Sequence, residues 1–449
     1  MTYILFICLL LILGVDYCVN NKDVLCPSFI FTLSLTFSVF WACIFTKKWE
    51  LYLHANTFIV IAGGAMLFSF SSLLIKHLYK KNSLKFGLHQ NRIIYERKTN
   101  RLIKICFLLF SLYTCYLTIE TLTRWANLPF SGFIAAGKAY DQLKFNTIQT
   151  YNLPSKLSFY RLVTDCGGYY FAYSFVNELI ENKKFAVIDI SIFLISVFSS
   201  TLTGARSNAV YLLLAFLFFT LFVFQKRKER DDILTFKLFV SIVILVFLLL
   251  LSFPLIGKLL QRSISSGMIE YLAIYIGAEI KNLDIFLQKR ITDNTVWGSQ
   301  TFIFLIRSFG KRLGFQNINY NLDLPFQRIN GNNLGNVYTV FYPFIYDFGY
   351  GGWMLLSSFM GILSQAIYEF SKHSTSKRIS LIFTLIYGHL FSSLVLAFFS
   401  NKFFEENFTV GWAKKIVVWI ILDCVLNITQ KKRERTKNIL VLDKTAQEA

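Results

Sequence analysis

The sequence is short of charge. Only 16% of its 449 residues are Asp, Glu, Lys or Arg, against 55% hydrophobic. Soluble globular chains carry about 25% charged and 45–50% apolar residues. So few polar residues cannot cover the two or three water-soluble cores that a chain of this length would build. Metal-ligand spacing is also missing. The eight cysteines (Cys8, Cys18, Cys26, Cys43, Cys106, Cys115, Cys166 and Cys424) are scattered, mostly inside apolar runs, and none forms a CxxC pair. No metal site is expected, and the thiols read as small packing residues. The N-terminus has no basic segment before Tyr3–Val15 and no small-residue cleavage site after it. It therefore reads as a first span rather than a cleavable signal. No internal repeat is visible, which weighs against a transporter built from inverted repeats.

What is present is a series of apolar runs of about 17–23 residues, the length that crosses about 30 Å of hydrocarbon. They fall at 2–19, 28–46, 57–76, 103–120, 159–180, 185–203, 208–224, 235–256, 346–368, 379–400 and 413–429. The runs are too long and too uniformly apolar for alternating barrel strands, so they are expected to be helices. The expected fold is all-α: a polytopic transmembrane bundle of about eleven spans, or twelve if one of the first three runs is doubled. Residues 1–449 would form a single multi-span membrane domain.

The formal charge of +20 raises the question of nucleic acid. The basic residues, however, sit in short connections, with no basic helix or aromatic stacking platform, so nucleic acid is not an expected partner. Lys80, Lys81, Lys85, Arg92, Arg97, Lys98 and Arg101 fall in one connection; Lys226, Arg227, Lys228 and Arg230 fall in another. Lys431, Lys432, Arg433, Arg435 and Lys437 fall in the tail. Alternating spans put all three on one side, which the positive-inside bias makes cytoplasmic. The C-terminus is then inside and the N-terminus outside. Two long connections remain on the outer side, 121–158 and 257–345. Loops longer than about 15 residues are uncommon and usually functional, and 257–345 is expected to be a subdomain between the eighth and ninth spans.

Several outer segments carry candidate chemistry. The turn Thr203-Gly204-Ala205-Arg206-Ser207-Asn208 is so short that Arg206 must lie at the outer membrane face. Ser207 or Asn208 can cap the next helix, whose N-terminus favours anions. Arg206 is thus a candidate phosphate or diphosphate ligand; the competing reading is an arginine that reaches for headgroups. Residues 297–313 read as an amphipathic helix with Phe302, Leu305, Ile306, Phe309 and Leu313 on one face. Arg307, Lys311 and Arg312 point elsewhere, toward lipid phosphates or the diphosphate of one substrate. Asn336, Tyr338, Thr339, Tyr342, Tyr346 and Tyr350 offer hydrogen bonds and flat rings suited to sugars. Asp347 is a carboxylate at or near membrane depth, costly and so a candidate general base; its alternative is a helix cap. Asp347-Phe348-Gly349 spells the kinase magnesium tripeptide, but no glycine-rich loop or HRD segment accompanies it. His389, within the tenth run, is a second candidate base, although one interhelical hydrogen bond is the commoner use. Glu279, Lys281 and Asp284 are expected to pair on one helix.

At these residues the chain resembles the Wzy-type O-antigen (oligosaccharide repeat-unit) polymerases. Three segments carry the likeness in the family's order: TGARSNAVYLLL; YIGAEIKNLDIFL followed by WGSQTFIFLIRSFGKRLGF; and NVYTVFYPFIYDFGYGG. The resemblance covers 185–370, and the first four spans match in hydropathy alone. It implies a glycosyltransferase of the bacterial inner (cytoplasmic) membrane, acting in lipopolysaccharide biosynthesis with its site facing the periplasm. The family polymerises repeat units carried on undecaprenyl diphosphate, which serve as donor and acceptor, and a chain-length regulator is an expected partner. The implied fold is of GT-C type, with a periplasmic helical loop over the site. Neither metal nor other cofactor is implied, because the lipid diphosphate already activates the donor. The family's periplasmic arginines match Arg206 by motif and Arg307 by position. The nearest alternative is the O-antigen ligase, with the same donor but lipid A core as acceptor; a repeat-unit flippase is a further one.

Overall fold

The computed structural model describes residues 1–85, 101–146, 153–204, 207–227, 268–289, 297–310, 324–329 and 331–426. Among them the chain is helical almost throughout, which agrees with an all-α membrane protein. The helices are α1 Thr2–Val19, α2 Pro27–Ile44, α3 Ala55–Lys85, α4 Arg101–Trp125, α5 Phe133–Asn146, α6 Ser155–Glu181, α7 Val187–Thr201 and α8 Ser207–Arg227. After them come α9 Met268–Ile276, α10 Ala278–Lys289, α11 Ile303–Phe309, α12 Phe341–His373, α13 Lys377–Val395 and α14 Lys402–Asn407. A last helix, α15, runs through 410–426. The described residues hold one antiparallel hairpin, β1 Gln327–Ile329 with β2 Asn332–Gly335.

Six helices are long and apolar enough to cross a membrane: Thr2–Val19, Pro27–Ile44, Ala55–Lys81, Arg101–Trp125, Ser207–Lys226 and Lys377–Val395. The expected spans at 159–180 and 346–368 are the helices α6 and α12, 27 and 33 residues long, but they are not among those six. The sixth expected span is α7, at 15 residues a short apolar helix. The expected span at 235–256 lies outside the described residues.

The chain divides into two compact units: Met1–Gly87, Phe224–Ser374 and Ile386–Trp412 form the first, and Leu88–Val223, Thr375–Leu385 and Ala413–Ala449 the second. The described parts of 257–345 belong to the first unit. Far from standing apart as a subdomain, α10 packs against α2 and α3.

In the first unit α3 and α12 pack along one another. Phe31 of α2 stacks on Phe68 of α3 at 4.2 Å, with the edge of Phe341 of α12 at 6.1 Å. Two carboxylates within this apolar bundle are paired, as lipid favours. Asp16 of α1 accepts from Thr32 of α2 (2.8 Å) and Ser69 of α3 (2.9 Å). Asp23, in the α1–α2 connection, accepts from Tyr368 (2.8 Å) and Lys372 (2.7 Å) at the C-terminal end of α12. Helix ends that alternating spans would put on one side therefore do meet.

Ion pairs link helices of the second unit. Lys104 of α4 meets Asp189 of α7 at 2.7 Å, and Ser174 of α6 donates to the same carboxylate at 2.7 Å. Lys415 of α15 meets Asp165 of α6 at 2.7 Å. Cys115, Ile119 and Leu202 form an apolar cluster, with Phe133 and Ile195 packed on it.

Candidate functional site

Asp347 lies on the first turns of α12, just before a break. Gly349 has φ 65° and ψ −160°, a conformation essentially confined to glycine, so the helix restarts in a new direction at Tyr350. The carboxylate, 7% exposed, accepts from the backbone N–H of Thr301 at 2.6 Å and of Gln300 at 3.1 Å, and from Ser299 Oγ at 3.4 Å. Thr301 Oγ1 donates to the Pro343 carbonyl at 3.1 Å, and Asn401 Nδ2 donates to the Thr301 carbonyl at 3.1 Å. Asp347 thus clamps 299–301 as a turn. The helix expected over 297–313 begins at Ile303, directly after this turn. Arg307 is exposed on α11, its guanidinium carbon 5.2 Å from the Phe304 ring centre. Lys311 and Arg312 lie outside the described residues.

The tyrosines expected to face a sugar mostly face each other. Tyr338, Tyr342 and Tyr346 are buried. Tyr342 packs 4.3 Å from Tyr338, 5.8 Å from Tyr346 and 4.4 Å from Phe286 of α10. Tyr338 donates to the Pro325 carbonyl at 2.9 Å. These rings join the hairpin segment and α10 to α12, while Asn336 is half-buried just after β2. His389 is also internal, 2% exposed. Its Nδ1 lies 2.9 Å from Asn407 Oδ1, and Asn407 in turn donates to Ser393 Oγ at 3.0 Å. This is the interhelical hydrogen bond of the commoner reading, joining α13 to α14.

Glu279, Lys281 and Asp284 form no ion pair with one another among the described residues. Lys281 Nζ donates to the Glu50 carbonyl at 2.7 Å. Glu279 is fully buried, with neither carboxylate oxygen partnered among the described residues, and burial pushes its carboxyl well above the usual range. Asp284, also buried, reaches the start of α3, where it accepts from the His54 backbone N–H at 3.0 Å and from Thr57 Oγ1 at 2.6 Å. It serves as an N-cap supplied from another helix. His54 Nδ1 lies 3.1 Å from Asp284 Oδ2, and Gln288 Nε2 donates to the same oxygen at 3.0 Å.

Beside this cluster opens a cavity of about 360 Å³ lined by Asn56, Ile59, Leu287 and Tyr350. Three elements meet there: the first turns of α3, the C-terminal part of α10, and α12 directly after its break. The lining mixes an amide, a phenol ring and two aliphatic chains, and the volume lies within the range of small-molecule sites, about 300–1,000 Å³. Sequence reasoning pointed to Tyr350 and missed His54, Asn56, Leu287 and Gln288. His54 and Asp284 are 230 residues apart; Asp284 was expected to pair on its own helix, and no local pattern marks His54.

In the second unit, Arg206 lies outside the described residues, but the turn leading to it is described. Gly204 has φ +76°, and a Cβ there would collide with the Gly137 carbonyl of α5. Arg161 of α6, also missed, donates from Nη2 to Thr203 Oγ1 at 3.3 Å, while its Nη1 is buried without a hydrogen-bond partner among the described residues. The turn that leads to Arg206 thus meets the Arg161 guanidinium.

Compared with protein-family models, with curated proteins and with solved structures, the chain matches none.

Proposed function

We propose that the protein is a membrane glycosyltransferase of the O-antigen polymerase kind. It moves a growing saccharide from a lipid diphosphate onto a hydroxyl of a second lipid-linked repeat unit, at the periplasmic face of a bacterial inner membrane. The observation that carries the reading is the 360 Å³ cavity formed where the 257–345 connection folds back onto α3 and α12. It lies at the α3 N-terminal end of the first unit, which the lysine and arginine distribution assigns to the outer side. A lipid-linked sugar reaches such a site from the bilayer surface without leaving the membrane. The mixed lining suits a saccharide: apolar ring faces rest on Ile59, Leu287 and Tyr350, and hydroxyls meet polar groups. Transfer from a diphosphate also needs cations where charge develops on the leaving group. Arg206, Arg307, Lys311 and Arg312 are the cations that the sequence offers for this role.

Deleting the gene and resolving surface polysaccharide on a gel tests the proposal. Core carrying a single repeat unit is the expected result. A full ladder of chain lengths overturns it, and core with no repeat at all points to a ligase or a flippase instead.

A further inference from the structure

His54 has 53% of its side chain exposed, while the Asp284 carboxylate beside it is wholly buried. That carboxylate cannot turn away, because the His54 backbone N–H, Thr57 Oγ1 and Gln288 Nε2 all hold it. An imidazole with Nδ1 against a fixed carboxylate is oriented and carries its proton on Nδ1, leaving Nε2 with a lone pair. Gln288 Nε2 lies 2.7 Å from the same Nδ1 and 3.0 Å from Asp284 Oδ2, so the amide packs against the pair. Two residues of the cavity wall adjoin this cluster in sequence: Asn56, two residues after His54, and Leu287, next to Gln288. The other charged groups near the pair are Lys281, on α10 below Asp284, and Glu50, in the connection before α3. Tyr350 is the titratable group that α12 adds to the cavity wall.

We propose that His54 is the general base of the transfer, with Asp284 and Gln288 as positioning residues, and that the cavity holds the acceptor sugar. The inference rests on the glycosyl-transfer reading. In the step, the acceptor hydroxyl oxygen bonds to the anomeric carbon of the donor. The bond from that carbon to the diphosphate oxygen breaks, and the lipid diphosphate leaves with the electron pair. The hydroxyl proton passes to His54 Nε2, and Asp284 stabilises the imidazolium until the proton returns to water. Asp347 and His389, the carboxylate and imidazole singled out by sequence, are both held by internal hydrogen bonds; His54 keeps an exposed ring.

The test uses the purified full-length protein and, as substrate, the lipid-diphosphate-linked repeat unit extracted from the deletion strain. His54→Ala is expected to lower kcat by about 100-fold or more, the usual contribution of a positioned base, with KM little changed. The pH profile of the wild-type rate should change in His54→Ala, and added imidazole should restore part of the rate. Asp284→Asn should lower kcat as well, and His54→Gln, an exposed and conservative change, serves where Asp284→Asn folds poorly. A His54→Ala protein with the wild-type kcat overturns the inference. So does a slowed one that keeps the wild-type pH profile and ignores imidazole, because a structural or binding role would leave both unmoved. Wild-type protein that transfers nothing overturns the glycosyl-transfer reading itself, whereas active wild type indifferent to His54 removes only the base.

Discussion

Replacing Asp347 separates a clamp from a catalyst. In the clamp reading, Asp347→Ala strands the N–H groups of Gln300 and Thr301, whose residues are 5% and 0% exposed. Each buried donor left without an acceptor costs about 1–3 kcal/mol. Removing a buried carboxylate also removes its desolvation cost, which offsets part of that loss. The net destabilisation should come to about 2–4 kcal/mol. The Thr301 bond, at 2.6 Å, is the short, charge-assisted kind and contributes most. Asp347→Asn keeps one acceptor oxygen of the same shape, so about half of the loss should return. Unfolding of the purified protein in mixed detergent measures both variants, and restoration of surface polymer in the deletion strain measures activity. Polymer formation should fall in step with stability. An Asp347→Asn protein as stable as wild type that makes no polymer would refute the reasoning, because only a chemical role for the carboxylate then remains. A change below about 1 kcal/mol for Asp347→Ala would show that the turn does not depend on these bonds.

Three further outcomes are expected. Glu279 is held neutral by burial: as pH rises past the ordinary glutamate value of 4.5, the unfolded chain releases this proton and the folded chain keeps it. Stability therefore falls with rising pH up to the raised folded value, and Glu279→Gln should stabilise the protein more at pH 8 than at pH 5; an unfolding difference that does not vary with pH contradicts this. Gly349→Ala meets no atom within 4 Å, so its cost, about 1–3 kcal/mol in detergent unfolding, comes from backbone strain alone, and an unchanged midpoint would mean the break relaxes freely. Arg206→Ala should abolish polymer while leaving single-repeat material, and a normal ladder in that variant removes Arg206 from the site.

Membrane character was legible because hydrophobic length is a local property: a run such as 2–19 or 379–400 needs no partner to identify it. The turn at Gly204 was likewise marked by residue type, whereas the break at Gly349 falls inside the run read as one span, 346–368. The fate of the polar residues was another matter. Asp347 and Asp284 are both carboxylates near helix starts, yet one holds a turn of the 257–345 connection and the other caps a helix 230 residues away. A hydrogen bond depends on which donors the fold brings within about 3 Å, and sequence spacing does not report that. The tyrosines show the same limit: at a spacing of four residues Tyr338, Tyr342, Tyr346 and Tyr350 look alike, but packing buries three against Phe286 and one another. Only the tyrosine beyond the break reaches the cavity. The sequence by itself determined that the chain lives in a bilayer and in what order its helices run. The tertiary structure alone decided which polar groups are spent on holding it together and which, His54 foremost, remain exposed beside a cavity.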